Sequence, residues 1–418
     1  MARRKIREYD AKRLLQCCRP ELLPQERILV TVHTDWEELP QKHPWLQNRR
    51  LVVKPDQVFG QRKKLGLVLL DASYPEAQQF IKEKMNKEIR IGKATGQLTH
   101  FLVEPFVPHT EEYYLAFSSH REGDEVYFSS MGGIEVEEKW EHVQKFLVPT
   151  GEPFPASILE KVFSSSFSEE KRRNLMAFIP DMLQAYRQLD FTFLEFNPCT
   201  FTSQGQVVLL DTVAEIDDCA SFLHPEEWKY LSFPAPFGKK AYPEEEHIAA
   251  LDTESGASLK LTVLNPLGRI WNILSGGGAS IIYLDTIARL GKQEEIANYG
   301  EYSGNPTLEE SYHYARTVLN LLTRESHPQG KVLLIGGAIA NFTDVEQTFT
   351  GIIKALQEYQ DQLRKGKVSL FVRRGGPNYE KGLQLMERAG KEMGLSIIVQ
   401  GPDTAMTALV EKALERIS

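Results

Sequence analysis

Residues 233–246, Phe-Pro-Ala-Pro-Phe-Gly-Lys-Lys-Ala-Tyr-Pro-Glu-Glu-Glu, constrain the folding of this chain more than any other stretch. Three prolines and a charge run are tolerated neither in a helix interior nor in an internal strand, so the segment reads as a linker. A chain of 418 residues is also too long for one ordinary core. Two domains, residues 1–245 and 246–418, are therefore expected.

The two sides differ in texture. Between residues 50 and 215 short β-rich runs predominate: Leu51–Lys54, Leu65–Leu70, Phe101–Glu104, Tyr113–Phe117, Glu125–Phe128 and Gln206–Leu210. Charged or Gly/Pro punctuation separates them, which predicts an α+β region with much antiparallel sheet. A short amphipathic helix is expected around Ala11–Gln16, and the clearest helix is Glu169–Leu189, which Pro180 should kink or split. Beyond the linker, strands alternate with helices. Arg269–Leu274 leads through Ser275–Ser280 into a helix ending at Gly291, and Lys331–Ile335 leads through Gly336 and Gly337 towards Asp344–Lys365. Val368–Val372 precedes Tyr379–Gly390, and Ser396–Val399 precedes Met406–Ile417. Repeated βα units of this length predict a doubly wound parallel α/β domain, with its ligand site outside the carboxyl ends of the strands.

Composition excludes several partners. The formal net charge of −8 leaves no basic footprint for nucleic acid. Cys17, Cys18, Cys199 and Cys219 form no C-x-x-C pair and sit near no His at metal-ligand spacing, so reduced thiols are expected. The charged N-terminus lacks the apolar run of a signal peptide, and apolar stretches such as Leu65–Leu70 fall far short of the ~20 residues that span a bilayer. A soluble, cytoplasmic protein is expected.

Three elements of the first half suit a polyphosphate. Lys54 ends a strand and is followed by the basic loop Gly60-Gln-Arg-Lys-Lys-Leu-Gly66, though a solvated basic turn fits that stretch equally. Leu102-Val-Glu-Pro-Phe-Val-Pro-His109, then Glu111-Glu112, offers extended carbonyls and a carboxylate that can read an adenine edge and a ribose hydroxyl, or else an ordinary loop. Asn197 in Leu194-Glu-Phe-Asn-Pro198 and Asp211, fourteen residues later, are hard oxygen ligands that a hairpin would bring together for Mg²⁺. In the second half, Arg374 at a strand end offers a planar fork for a carboxylate, or a partner for a surface acid. Thr343 stands where a helix begins, and Gly276–Ser280 is a glycine-rich strand-to-helix turn that would expose amides to a phosphoryl group. An N-cap and a tight turn are the plainer readings of these two.

Taken together, these motifs resemble a known family. Lys54 with its loop, Gly132-Gly-Ile-Glu-Val-Glu137 and Leu194–Pro198 with Asp211 resemble the ATP-grasp half of the succinyl-CoA synthetase β-subunit superfamily. Pro234–Gly238, Leu264–Trp271, Gly276–Ser280, Asn298–Gly304, Ile339–Asp344 and Phe371–Tyr379 resemble the ATP-citrate lyase family within it. Length and the opening Ala-Arg-Arg-Lys-Ile-Arg-Glu-Tyr-Asp are similar to its A-subunit type, in which the lyase is divided between two polypeptides.

The resemblance implies an ATP-grasp domain followed by a succinyl-CoA synthetase-like, flavodoxin-like domain. It places ATP phosphates at Lys54, Arg62 and Lys64, adenosine at Pro105–Val107 and Glu112, and Mg²⁺ at Asn197 and Asp211. A secondary metal turn would use Asp252, Ser255 and Ala257, citrate would meet Gly304, Asn341, Thr343, Tyr359 and Arg374, and Gly277, Gly278, Ala279 and Ser280 would seat a phosphoryl group. One departure is Arg62-Lys63-Lys64 where the family has Arg-Gly-Lys, which removes easy access to positive φ at Lys63. No histidine here lies in the family's phosphohistidine loop; His109, His313 and His327 read as surface residues. The implied chain is thus half of a hetero-oligomeric enzyme that cleaves citrate with ATP and CoA. A larger partner would supply the phosphohistidine, the CoA site and the cleavage module. A subunit of citryl-CoA synthetase or another acid–CoA ligase, and a nucleotide- or citrate-sensing subunit without catalysis, are the alternatives.

Overall fold

The computed structural model describes residues 3–22, 26–92, 94–134, 136, 139–155, 168–202, 204–239 and 242–417. Glu135 and Glu137 of the Gly132–Glu137 motif lie outside these, as do Lys240 and Ala241 of the linker. The chain forms two compact units, residues 1–240 and 241–418, so the division falls five residues before the expected boundary. The reason is local. Pro243 and Glu244–Glu246, read as a break, are the first turn of a helix, Pro243–Glu254. Proline suits the first helical position because its missing N–H has no partner to lose there, and carboxylates suit the positive end of the helix dipole. Glu245 further ties this helix to the second unit by accepting the Val263 N–H at 2.6 Å.

In the first unit, antiparallel strands run in the order Arg3–Ile6, Thr212–Asp217, Phe191–Phe201, Tyr113–His120, Gly123–Ser129, Gln144–Pro149, with Val207–Leu209 paired to Phe191–Phe201. The helices Glu8–Cys18 and Glu169–Gln188 bury Ala11, Leu14, Leu15, Leu175, Phe178, Ile179 and Met182 in the core beneath this sheet. Pro180 lies inside the second helix without splitting it. A second antiparallel sheet of four strands, Ile28–Thr31, His100–Pro105, Leu51–Pro55 and Leu69–Ala72, has its own core. Only the last two residues of the expected strand Leu65–Leu70 are strand; Leu65 and Gly66 are turn, and the strand begins at Leu69. The continuous apolar run was buried packing of Leu67 against that core and not a ladder partner.

The second unit carries one six-stranded sheet, ordered Ser258–Val263, Asn298–Ser303, Ile270–Ser275, Lys331–Ile339, Val368–Gly375, Ser396–Gln400. Only the first strand is antiparallel. Counting the parallel strands in chain order gives 2-1-3-4-5, the flavodoxin-like winding, whose switch point lies between Ile270–Ser275 and Lys331–Ile339. Strands covered on both faces must be apolar throughout, and Ile270–Ser275 is buried at every position. Helices Leu308–Arg324, Val345–Glu358 and Tyr379–Glu392 contribute to the core on one face, Gly277–Arg289 and Met406–Leu414 to that on the other. The expected strands were too short at their carboxyl ends. Gly336 to Ile339, and Arg373 to Gly375, continue the ladder, so both arginines are strand residues. No helix among the described residues is long and apolar enough to cross a membrane, and all four cysteines are free.

Candidate functional site

In the first unit, the strand Leu51–Pro55 ends by delivering Lys54 to the wall of a cleft. The same cleft is lined by Arg62, Lys63, Lys64, Pro105, Phe106, Val107, His109, Glu112, Asn197 and Asp211. Every residue expected to touch ATP or its Mg²⁺ is thus brought to one place. The Lys54 ammonium, 4% exposed, donates to Glu8 Oε1 at 2.6 Å and to the Leu210 carbonyl. Burial works to lower its pKa, but the Glu8, Asp211 and Glu104 carboxylates outweigh it and hold the pKa above the ordinary value. Arg62 donates to the Pro55 carbonyl at 2.8 Å and to Asp211, and its Nη2 is 3.0 Å from Glu8 Oε2. Burial pulls the Glu8 carboxyl upward, yet Lys12, Lys54 and Arg62 together drive it far below the carboxylate range.

At the Mg²⁺ positions, the N–H of Asn197, on the strand Phe191–Phe201, donates at 3.1 Å to the carbonyl of Asp211, in the turn after Val207–Leu209, which sets the two residues side by side. Asn197 Oδ1 accepts the Gly133 N–H at 2.7 Å. The donor set is a carboxylate and an amide oxygen, both hard, and the Asp211 carboxylate already attracts a cation, the Arg62 guanidinium. That chemistry fits Mg²⁺ shared with phosphate oxygens. The adenosine segment is partly committed: the Phe106 N–H donates to the Arg50 carbonyl at 2.7 Å, and the Val107 carbonyl lies 2.8 Å from His109 Nδ1. His109, expected at the surface, is therefore a cleft residue, with Nε2 3.3 Å from Glu112 Oε1. The loop's left-handed residues are Gln61 and Gly66, at φ 62° and 65°, so Lys63 occupies no position that needs glycine.

In the second unit, Gly304, Asn341, Thr343, Arg374 and Gly276–Ser280 gather at the carboxyl edge of the sheet. The Gly276 N–H donates to the Tyr302 carbonyl at 2.9 Å, Ala340 N–H to the Gly375 carbonyl at 2.8 Å, and Asp344 N–H to Asn305 Oδ1 at 3.0 Å. These bonds tie the four loops together. Arg374, only 3% exposed, donates to the Ser275 hydroxyl at 2.8 Å and to the Ala338 carbonyl, while its Nε is buried without a partner. Among the described residues no carboxylate pairs with it or with Arg373, whose guanidinium donates to the carbonyls of Gly337, Pro402 and Thr404. Burial lowers the Arg374 pKa, and the neighbouring Arg373 adds to that. Gly276, at φ 87°, lets the strand turn into the helix Gly277–Arg289, whose first amides are the expected phosphoryl seat. Glu301 already lies against Gly277, anchored by the Tyr299 hydroxyl.

Tyr359 stands apart from these residues, and the expected secondary metal turn is internally hydrogen-bonded. Tyr359 ends the helix Val345–Glu358 that Thr343 precedes, and fourteen residues of helix separate the two ends by roughly 20 Å. Its hydroxyl accepts from Asn320 instead, so it does not join the others. Asp252, Ser255 and Ala257 do share a turn. However, the Asp252 oxygens accept the Leu259 N–H and the Lys260 ammonium, and Ser255 Oγ accepts the Ala257 N–H. Among the described residues this is a hydrogen-bonded helix exit, with the Glu310 carboxylate also bonded to the Ser255 side chain. Thr343 is not the N-cap; Asp344 is, accepting the Gln347 N–H at 3.0 Å, which leaves Thr343 buried beside the site.

Residues 2–228 match the ATP-citrate synthase ATP-grasp domain, and residues 239–416 the ATP citrate lyase citrate-binding domain. The chain belongs to the ATP-citrate lyase family. An ATP-citrate synthase alpha chain of Arabidopsis thaliana is 44% identical over 422 residues, covering 100% of this chain and 99% of that one. The ATP-citrate synthase of Bos taurus is 48% identical over 387 residues, 92% of this chain but 35% of its own length. The chain thus spans about a third of the animal relatives it matches. A structure of ATP citrate lyase from Methanothrix soehngenii in complex with citrate and coenzyme A superposes with a TM-score of 0.90 at 48% identity, covering 99% of this chain and 100% of that one. The ATP-citrate lyase resemblance read from the motifs, and the two-part fold it implied, therefore hold.

Sequence reasoning missed Glu8, Lys12, Asp56, Glu104, Ser275 and Arg373. The one available signal was in the amino-terminal helix, where Glu8 and Lys12 stand four apart on one face beside Ala11 and Leu15. Their partners lie 46 and 92 residues away, beyond any local pattern.

Proposed function

We propose that this chain binds MgATP in the cleft of its first unit and citrate at the carboxyl edge of its second, as one part of an ATP-citrate lyase. The net reaction is citrate, ATP and CoA to acetyl-CoA, oxaloacetate, ADP and phosphate. In this reading Lys54, Arg62 and Lys64 receive the phosphates, Glu112 and the Pro105–Val107 backbone the nucleoside. Asn197 and Asp211 hold Mg²⁺, which neutralises charge on the triphosphate. The γ-phosphoryl group passes to a histidine of a partner subunit and then to a citrate carboxylate. CoA thiolate displaces phosphate from the acyl phosphate, and the partner cleaves the resulting citryl-CoA. Gly277–Ser280 seats the phosphoryl group at the helix amino end. Such an assembly is a cytoplasmic hetero-oligomer.

The observation that carries this reading is the Arg374 guanidinium, buried with no carboxylate partner among the described residues. A buried charge without a counterion is costly, and an incoming carboxylate removes that cost with a planar pair. In this reading Gly304, Asn341 and Thr343, in loops at the same carboxyl edge of the sheet, supply further polar groups for a ligand with several carboxylates. Calorimetry of citrate, malate and succinate on the purified chain tests it: citrate should bind tightest, and equal affinity for succinate would favour another acid–CoA ligase. With γ-labelled ATP, citrate and CoA, the isolated chain should form no oxaloacetate, and the partner should restore it. Turnover without a partner would refute the division of labour. The sensing alternative rested on Lys63, and Lys63 imposes no strain on the loop.

A further inference from the structure

The nucleotide cleft has an anion in its own wall. Glu104 lies on the strand His100–Pro105, lines the cleft beside Lys54 and Pro105, and is 4% exposed. An unpaired carboxylate there would oppose a triphosphate. Both its oxygens, however, accept from the Lys12 ammonium, at 3.0 and 2.8 Å. Lys12 is 2% exposed, belongs to the amino-terminal helix, and does not line the cleft. It also lies 2.9 Å from Glu8 Oε1, the carboxylate that backs Lys54 and Arg62. Glu8 is held in turn, because its N–H and that of Tyr9 donate to the two Asp56 oxygens at 2.9 and 3.0 Å.

We propose that Lys12 is a positioning residue for the nucleotide: from outside the cleft it neutralises Glu104, so that Glu104 does not oppose the triphosphate at Lys54 and Arg62. The inference rests on the reading that this cleft takes ATP. Losing Lys12 acts twice in the same direction. Glu104 loses its two closest charge contacts and turns a stronger anionic character to the cleft wall, and it draws in the Lys54 ammonium, already 3.6 Å from its Oε2, away from the phosphates. Both effects scale with ligand charge. A ligand with no phosphate is indifferent to them.

The test is calorimetric binding of MgATP and of adenosine to the full chain and to Lys12→Met, Glu104→Gln and the double variant. Lys12→Met should weaken MgATP about tenfold and leave adenosine unchanged, the size expected of one charge several ångströms from a phosphate in a partly screened site. Lys12→Met/Glu104→Gln should recover most of that loss, because removing both members restores the charge balance. Equal losses for both ligands in Lys12→Met, or a double variant no better than the single one, overturn the proposal. Should Lys12→Met not fold, Glu104→Gln alone decides: MgATP binding as tight as wild type or tighter supports it. Loss of adenosine binding would instead make Glu104 a direct nucleoside contact and overturn it. If wild type binds neither ligand, the nucleotide reading itself falls.

Discussion

Arg374 donates to the Ser275 hydroxyl at 2.8 Å, joining the ends of two strands that lie 99 residues apart in the chain. With the Ala338 carbonyl on its other terminal nitrogen, this bond fixes the guanidinium plane before any ligand arrives. A planar donor held in advance loses little freedom on binding a carboxylate, which is what a selective acid site requires.

Arg374→Ala should therefore weaken citrate binding by on the order of 2–4 kcal/mol, as for loss of a desolvated charge-assisted pair. MgATP affinity should stay at the wild-type value. Parallel titrations of the two ligands check this, and equal losses for both would indicate global damage.

Gly337 tests the same fork through the backbone. At φ 154°, a Cβ there would stand 2.6 Å from Arg374 Nη1 and 2.6 Å from the Ser275 carbonyl. Gly337→Ala must displace the arginine or the strand end, so a loss of citrate affinity of about 1–3 kcal/mol is expected. Thermal unfolding measured alongside should fall as well, because the clash involves rigid backbone.

Asp211→Asn keeps shape and removes the charge that Arg62 meets in this structure. Phosphoryl transfer to the partner should drop sharply, and the Mg²⁺ concentration giving half-maximal rate should rise. A variant with unaltered Mg²⁺ dependence removes Asp211 from the metal site.

Glu8 makes a pH prediction. Its folded-state pKa is depressed, chiefly because Lys12, Lys54 and Arg62 overcome the effect of burial. The stability it contributes is present above its unfolded pKa of about 4.3 and is lost as pH falls below that value. Glu8→Gln should cost on the order of 3–5 kcal/mol at pH 7, as for breaking a buried ion pair. Urea unfolding from pH 7 to pH 3.5 should show the gap to wild type narrowing only at the acid end. Asp56 opposes this: burial and the Glu8 charge push its pKa up to about 6, so its own contribution declines as pH rises from 4 towards 6.

Much of this was legible locally. Lys54, Asn197 and Asp211 carry short-range signals and line one cleft of the first unit, and the glycines at 276–278 open the helix Gly277–Arg289 of the second. The boundary misread at Pro243 had a local cause too, since the same residues that stop one helix begin another. Tyr359 was not legible in the same way. Motif matching assigns a position without its height along a helix, and that height puts the hydroxyl at the far end.

The sequence by itself determined the two-part architecture, the parallel sheet of the second unit and the residue types that meet anions, because strand and helix periodicity and turn chemistry act over a few residues. Only the tertiary structure decided which charges neutralise one another. Glu8, Lys12, Lys54, Arg62, Glu104 and Asp211 come from five separate stretches of chain and pair in a buried place. There, at short range and low dielectric, the identity of each neighbour sets whether a charge is held, shared or left for a ligand.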